Sequence, residues 1–193
     1  MRQIKLTPRL QTIAGFIEEG ASVADIGTDH GYLPVHLAQH RKARRIIASD
    51  MSAGSLGAAR RSAEKYGVSD KIEFVVAPGL TGISGTGGTG GTCRTGVTDG
   101  TGGHSGTCSN GGTGVNDGTD VDTIVIAGVG GETIIGILEE APWARKGKKL
   151  ILQPQTKKDE LLRYLNETGI KVLETALTRD RGREYTVILC SSS

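Results

Sequence analysis

The chain has 193 residues, 36% of them hydrophobic, and a formal net charge of +2. That length suits one domain, or one domain with an appendage, and no apolar stretch of about 20 residues marks a membrane span. The polar start, with Arg2, Lys5 and Arg9, carries no secretory core. Cys93, Cys108 and Cys190 sit at irregular spacing, so neither a disulfide framework nor a zinc site is read from them; a reducing cytoplasm is the default and no metal is expected.

Leu6, Leu10, Ile13 and Ile17 recur at helical spacing, with Thr7 as cap and Pro8 in the first turn. Ser22 to Ile26 is a short apolar run that feeds the glycine turn at Gly27, and Tyr32 to Gln39 returns to helical spacing. Arg45 to Ser49 reads as a second strand ending at Asp50. Ser52 caps a helix through Leu56, Ala59, Ala63 and Tyr66 that closes at Gly67, and Ile72 to Val76 is a third strand. After a long interruption, Val121 to Ala127 is a fourth strand, followed by Gly128-Val129-Gly130-Gly131 and a helix over about Glu132 to Glu139. Lys149 to Gln153 is a fifth strand and Asp159 to Asn166 a helix. Ile170 to Ala176 and Glu184 to Cys190 pair as a hairpin across Arg179-Asp180-Arg181-Gly182. Strands alternating with helices imply parallel βαβ units. The expected fold is α/β, a Rossmann-type sheet, mostly parallel, with a closing antiparallel hairpin; a plain dehydrogenase sheet competes with it.

The interruption, about Thr81 to Thr119, is almost entirely Gly, Thr, Ser, Asn and Asp, and it repeats Gly-Thr-Cys and Asp-Gly-Thr. Such composition buries too little apolar surface to offset the entropy of ordering. It reads as a disordered insert in a surface loop, with a metal or phosphate site on Cys93, His104 and Cys108 as the weaker alternative. Basic residues cluster at Arg41 to Arg45, Lys146 to Lys149, Lys157-Lys158 and Arg179 to Arg183. Near-neutral net charge therefore does not exclude RNA, although each cluster on its own reads as a solvated turn or helix end.

Asp25-Ile26-Gly27-Thr28-Asp29-His30-Gly31 lies at a strand-to-helix turn. Gly27 and Gly31 let backbone approach a ligand closely, and the following helix aims free amides at the same crevice. Asp50, ending the next strand, suits a carboxylate that holds a ribose diol. Asp29 stands where a dinucleotide fingerprint has its central glycine. A carboxylate there repels a pyrophosphate but accepts the ammonium of a methionine moiety, which favours S-adenosyl-L-methionine over NAD. The second glycine turn, Ala127 to Gly131, falls beside the first if the sheet reverses there.

These residues carry a resemblance. Asp25 to Pro34 is similar to the first motif of the bacterial tRNA (adenine-22-N1)-methyltransferases, and Leu6–Leu10, Ala48–Asp50, Asp122–Gly131 and Leu150–Pro154 follow that family in order. The resemblance implies S-adenosyl-L-methionine-dependent methyl transfer to N1 of an adenine in tRNA. The fold it implies is one methyltransferase domain over residues 1–193, interrupted by the insert. Its cofactor would lie against Asp25, Gly27, Thr28, Asp29, Gly31, Asp50, Met51, Gly79, Ala127, Gly128 and Val129, with Asp50 on the ribose and Met51 on the adenine. Asp29, His30 and Tyr32 are the candidate catalytic residues: Asp29 near the methyl group and incoming base, His30 orienting Asp29 or contacting phosphate, Tyr32 stacking on the base. Cofactor binding alone for Asp29, helix capping for His30 and core packing for Tyr32 stay open beside these roles.

Three departures stand out. Ala77-Pro78-Gly79-Leu80 replaces the family's Gly-Asp-Gly-Leu, so a contact to the cofactor's adenine is lost. Val129 replaces a methionine. The family's helical C-terminal domain is not expected within these residues. The expected partner is tRNA, with no membrane and a monomer; a catalytically impaired relative and a nucleotide-dependent oxidoreductase are the competing readings, a pure interaction module the remotest.

Overall fold

The computed structural model describes residues 3–83 and 121–192. Cys93, His104, Cys108 and the body of the Gly/Thr tract lie outside the described residues. Ile83, near the tract's expected start, is buried in the core, so ordered packing reaches at least that far.

The elements run α1 (Pro8–Phe16), β1 (Ala21–Ile26), α2 (Tyr32–Gln39), β2 (Ala43–Asp50), α3 (Ala53–Lys65), β3 (Glu73–Val76), β4 (Thr123–Val129), α4 (Gly131–Glu140), β5 (Lys149–Pro154), α5 (Lys158–Glu167), β6 (Lys171–Asp180) and β7 (Arg183–Ser191). Two short 3-10 turns, Ser69–Lys71 and Pro142–Arg145, were not evident from periodicity. The caps are local chemistry. Thr7 Oγ1 accepts from the Leu10 amide, Pro8 opens α1, and Ser52 Oγ accepts from the Ser55 amide at 3.2 Å to start α3.

The seven strands form one sheet in the order β3-β2-β1-β4-β5-β7-β6. β1 to β5 are mutually parallel where they pair, whereas β7 runs antiparallel to both β5 and β6. An antiparallel strand inserted between the fifth and sixth distinguishes this sheet from the all-parallel order of a dinucleotide-binding dehydrogenase. The hairpin closes on Arg181 and Gly182, at φ +49° and +78°. Positive φ at both central residues is what a two-residue turn needs to match strand twist.

β1 is buried throughout and β5 at all but its first residue, as expected for parallel strands covered on both faces. Val23, Val125 and Ile151 point to a core shared with α1 and α2; Ala24, Ile124, Ile126 and Leu152 point to a core shared with α4 and α5. The sheet changes its crossover side between β1 and β4, which opens a cleft at the carboxyl ends of those strands. The basic run at Arg41–Arg45 sits at the opposite end of β2, where Arg44 pairs with Asp122 and Arg45 with Glu73. Among the described residues, no helix is long and apolar enough to cross a membrane, and no group of three or more His, Cys, Asp or Glu is placed to hold a metal.

Candidate active site

A crevice of about 600 Å³ opens at the carboxyl ends of β1, β2 and β4. It is built from the segments that follow β1 to β5, the N-terminus of α1 and the tip of the β6–β7 hairpin.

The β1–α2 loop turns sharply because Gly27 adopts φ +72°. A Cβ built on Gly27 meets nothing within 4 Å, so the space above this turn is open. The Gly27 and Thr28 amides donate to the Ser49 carbonyl at 2.8 and 3.0 Å, which ties the loop to the end of β2. Asp29 sits at φ +50°, the left-handed conformation that aspartate tolerates better than most residues. Its amide donates to Asp50 Oδ2 at 3.2 Å, while Asp50 Oδ1 accepts from the Ser52 amide at 2.8 Å. Asp50 is thereby held at the end of β2, almost buried, with both oxygens engaged by backbone.

Asp25 ends up buried beside it. The Thr28 hydroxyl donates to Asp25 Oδ2 at 2.7 Å. Burial pushes the Asp25 carboxyl up to about 6; the Thr28 bond and the Arg9 cation pull it down, and the Asp50 charge pushes it up again. The loop thus holds one carboxyl that titrates about a unit below neutrality next to one fixed by amides.

Most of the sequence-predicted site residues meet here. Asp25, Gly27, Thr28, Asp29, His30, Tyr32, Asp50, Met51, Gly79, Ala127, Gly128 and Val129 all line the crevice. Gly31 does not. Its φ is +69°, it is the N-cap of α2, and a Cβ there falls 2.8 Å from the Ala59 Cβ of α3. Glycine is needed at this position for α2 to pack against α3. His30 does not cap α2, which has no side-chain cap. Instead its ring stacks on Tyr32 at 5.5 Å between centroids, and its Nε2 lies 3.7 Å from Asp29 Oδ2. Tyr32 is 42% exposed, too open for core packing, and Met51 is 77% exposed on the crevice lip.

The second glycine turn divides its labour. Gly128, at φ +83°, lines the crevice; Gly131 lies against the loop after β5, where a Cβ stands 2.4 Å from the Lys157 carbonyl oxygen. Sequence reasoning missed Arg9, Gln155, Asp180, Arg181 and Tyr185, which also line the crevice. They come from α1, the loop after β5 and the hairpin tip, brought together by strand order alone. Pro78 is exposed, between Ala77 and Gly79, which line the site.

A methyltransferase-domain family model matches residues 6–106 and 104–188. The tRNA (adenine(22)-N(1))-methyltransferase of Bacillus subtilis is 30% identical over 193 residues, covering 100% of this chain and 67% of that protein. The crystal structure of the B. subtilis m1A22 tRNA methyltransferase TrmK superposes with a TM-score of 0.77 at 28% identity, over 99% of this chain and 68% of that one. Streptococcus pneumoniae Sp1610, solved in complex with S-adenosyl-L-methionine, gives a TM-score of 0.76 at 25% identity, over 98% of this chain and 74% of that one. Sheet order, first loop and relatives agree: the chain belongs to the tRNA (adenine(22)-N(1))-methyltransferase family.

Proposed function

We propose that the chain transfers a methyl group from S-adenosyl-L-methionine to N1 of an adenine in tRNA, working in the cytoplasm. The observation that carries this reading is the pair Asp25 and Asp50 at the ends of β1 and β2, one buried and one amide-held, on either side of an open glycine turn. The donor set fits the cofactor: a buried carboxyl for an ammonium, a second carboxylate for a ribose diol, and free space over Gly27. Asp25 and Thr28 would hold the amino-acid end, Asp50 the ribose, and Met51 and Gly79 the adenine end.

When bound, the cofactor supplies an electrophilic methyl on a sulfonium, a good leaving group. The residues of this chain then have little covalent work. Neutral adenine N1 already carries an in-plane lone pair, so no strong base is required. Alignment is the larger part of the task. Asp29 accepts from the adenine amino group and offsets the positive charge that moves onto the ring. Its left-handed backbone, fixed through Asp50, sets where that carboxylate sits. Tyr32, backed by the His30 ring, offers an exposed aromatic face to an unstacked base. The base must leave its stack in the tRNA, or be caught in an open state.

The test is transfer of labelled methyl from S-adenosyl-L-methionine to unmodified tRNA, with a tRNA bearing guanine at position 22 as control. Label in the first and none in the second is expected. No label in either overturns the reading; equal labelling of both shows that the methylated adenine is not the one at position 22.

A further inference from the structure

The crevice carries a cation that the proposed chemistry leaves without a task. Arg9, in the first turn of α1, donates from Nη1 to Gln153 Oε1 at 2.8 Å. Gln153 is fully buried, and its own amide nitrogen donates to the Pro154 carbonyl at 2.8 Å, so its orientation is set. The Arg9 guanidinium lies over the Tyr185 ring, 5.4 Å from its centroid. Its Nη1 is 3.2 Å from where a Cβ on Gly128 would stand, which puts the group at the crevice mouth. Asp25, Gln153 and Tyr185 alternate in step with Val23, Ile151 and Val187, so all three project toward the α1 side of the sheet. A lining arginine ordinarily keeps much of its rotamer freedom. This one is held at its edge by Gln153 and on one face by Tyr185.

We propose that Arg9 is the platform on which the target adenine stacks, and that its charge separates substrate from product. This rests on the reading of N1 methylation above. A neutral purine face is a good partner for a planar guanidinium. In the reaction, N1 spends its lone pair on the bond to the incoming methyl carbon, the pair of the broken carbon–sulfur bond stays with sulfur, and the positive charge passes to the ring. Two cations then face each other across the stack. Arg9 holds adenine before the step and repels N1-methyladenine after it, while Asp29 offsets the charge as it forms. Arg9 acts as a positioning and product-releasing residue, with Gln153 and Tyr185 keeping it in plane.

The experiment is a binding titration of the chain with two tRNAs, one carrying adenine and one N1-methyladenine at the site where the wild type transfers methyl. The wild type is expected to prefer the unmodified tRNA by about three- to fivefold, the size of a partly exposed cation–π contact. Arg9→Gln is expected to bring the ratio to about one, and Tyr185→Leu to narrow it. Thermal unfolding of both variants checks that they fold. A wild type without the preference overturns the proposal by itself, so it does not depend on the variants being stable. So does an Arg9→Gln protein that weakens both tRNAs equally with a shallower salt dependence, because that is the behaviour of a phosphate contact. Absence of transfer to any tRNA adenine sinks the underlying reading; transfer without the preference sinks this proposal alone.

Discussion

The Thr28 hydroxyl donates to Asp25 Oδ2 at 2.7 Å inside a site where Asp25 is buried and titrates near 6. That carboxyl faces the Asp50 charge, the Arg9 cation and the Thr28 hydroxyl. If the ionised form receives the cofactor's ammonium, affinity for S-adenosyl-L-methionine is flat above about pH 7 and falls roughly tenfold per pH unit below 6. Calorimetric titration between pH 5 and 8 checks this. Thr28→Val, which strips the bond that favours the charged form, moves the fall to higher pH. A pH-independent affinity contradicts the assignment of Asp25.

The same shift has a stability consequence of definite sign. Folded Asp25 holds its proton more tightly than the unfolded chain, whose carboxyl titrates near 3.8. From this group alone, stability falls as pH rises from about 4 to about 6 and is level above. Asp25→Asn is therefore expected to stabilise the fold at pH 7 by about 1–3 kcal/mol and to cost cofactor binding. Chemical denaturation at pH 4 and pH 7 reads the difference. A variant less stable than the wild type at pH 7 contradicts it.

Gly27 and Gly31 both have positive φ but differ in what surrounds them. Gly27→Ala meets open space and is expected to lose about 1–2 kcal/mol from backbone strain, with a loss of cofactor binding beyond what that strain explains. Gly31→Ala drives a methyl into Ala59 and is expected to lose about 2–4 kcal/mol. In the fraction that remains folded, cofactor affinity stays. Unfolding curves paired with titrations separate the two. Equal effects on binding contradict the division between a ligand glycine and a packing glycine.

Asp29→Asn preserves a residue that tolerates the left-handed backbone and keeps the amide that binds Asp50. Turnover is expected to fall about 100-fold with cofactor affinity nearly unchanged. If affinity and turnover fall together, Asp29 serves the cofactor and not the base.

Much of this fold was legible because local rules and the global pattern agree. Ser52 and Thr7 cap helices where side-chain chemistry says they must, and the apolar runs at Val23, Ile124 and Leu150 are short enough to be strands. β4 runs on to Val129 across a bulge at Gly128, which has no partner in β5, although the sequence reads as a turn there. The first loop was legible as a set of residues close in sequence. The Arg9–Gln153–Tyr185 cluster was not: Arg9 and Gln153 are 144 positions apart, and nothing local marks either. The role of Gly31 was also hidden, since a glycine against Ala59 and a glycine against a ligand look alike in a sequence.

Pro78, flanked by two crevice residues, stands where the resembled family has aspartate. Pro78→Asp is expected to tighten S-adenosyl-L-methionine by about tenfold, the worth of one charged hydrogen bond. An unchanged affinity in the same calorimetric titration shows that this loop does not reach the adenine end.

The proposed function requires that the crevice between β1, β2 and β4 hold S-adenosyl-L-methionine. Calorimetric titration of the chain with S-adenosyl-L-methionine and, separately, with NAD tests it most directly. Saturable binding of the first, lost in Asp25→Ala, and no heat from the second are expected. Binding of NAD, or S-adenosyl-L-methionine binding that Asp25→Ala leaves intact, contradicts it.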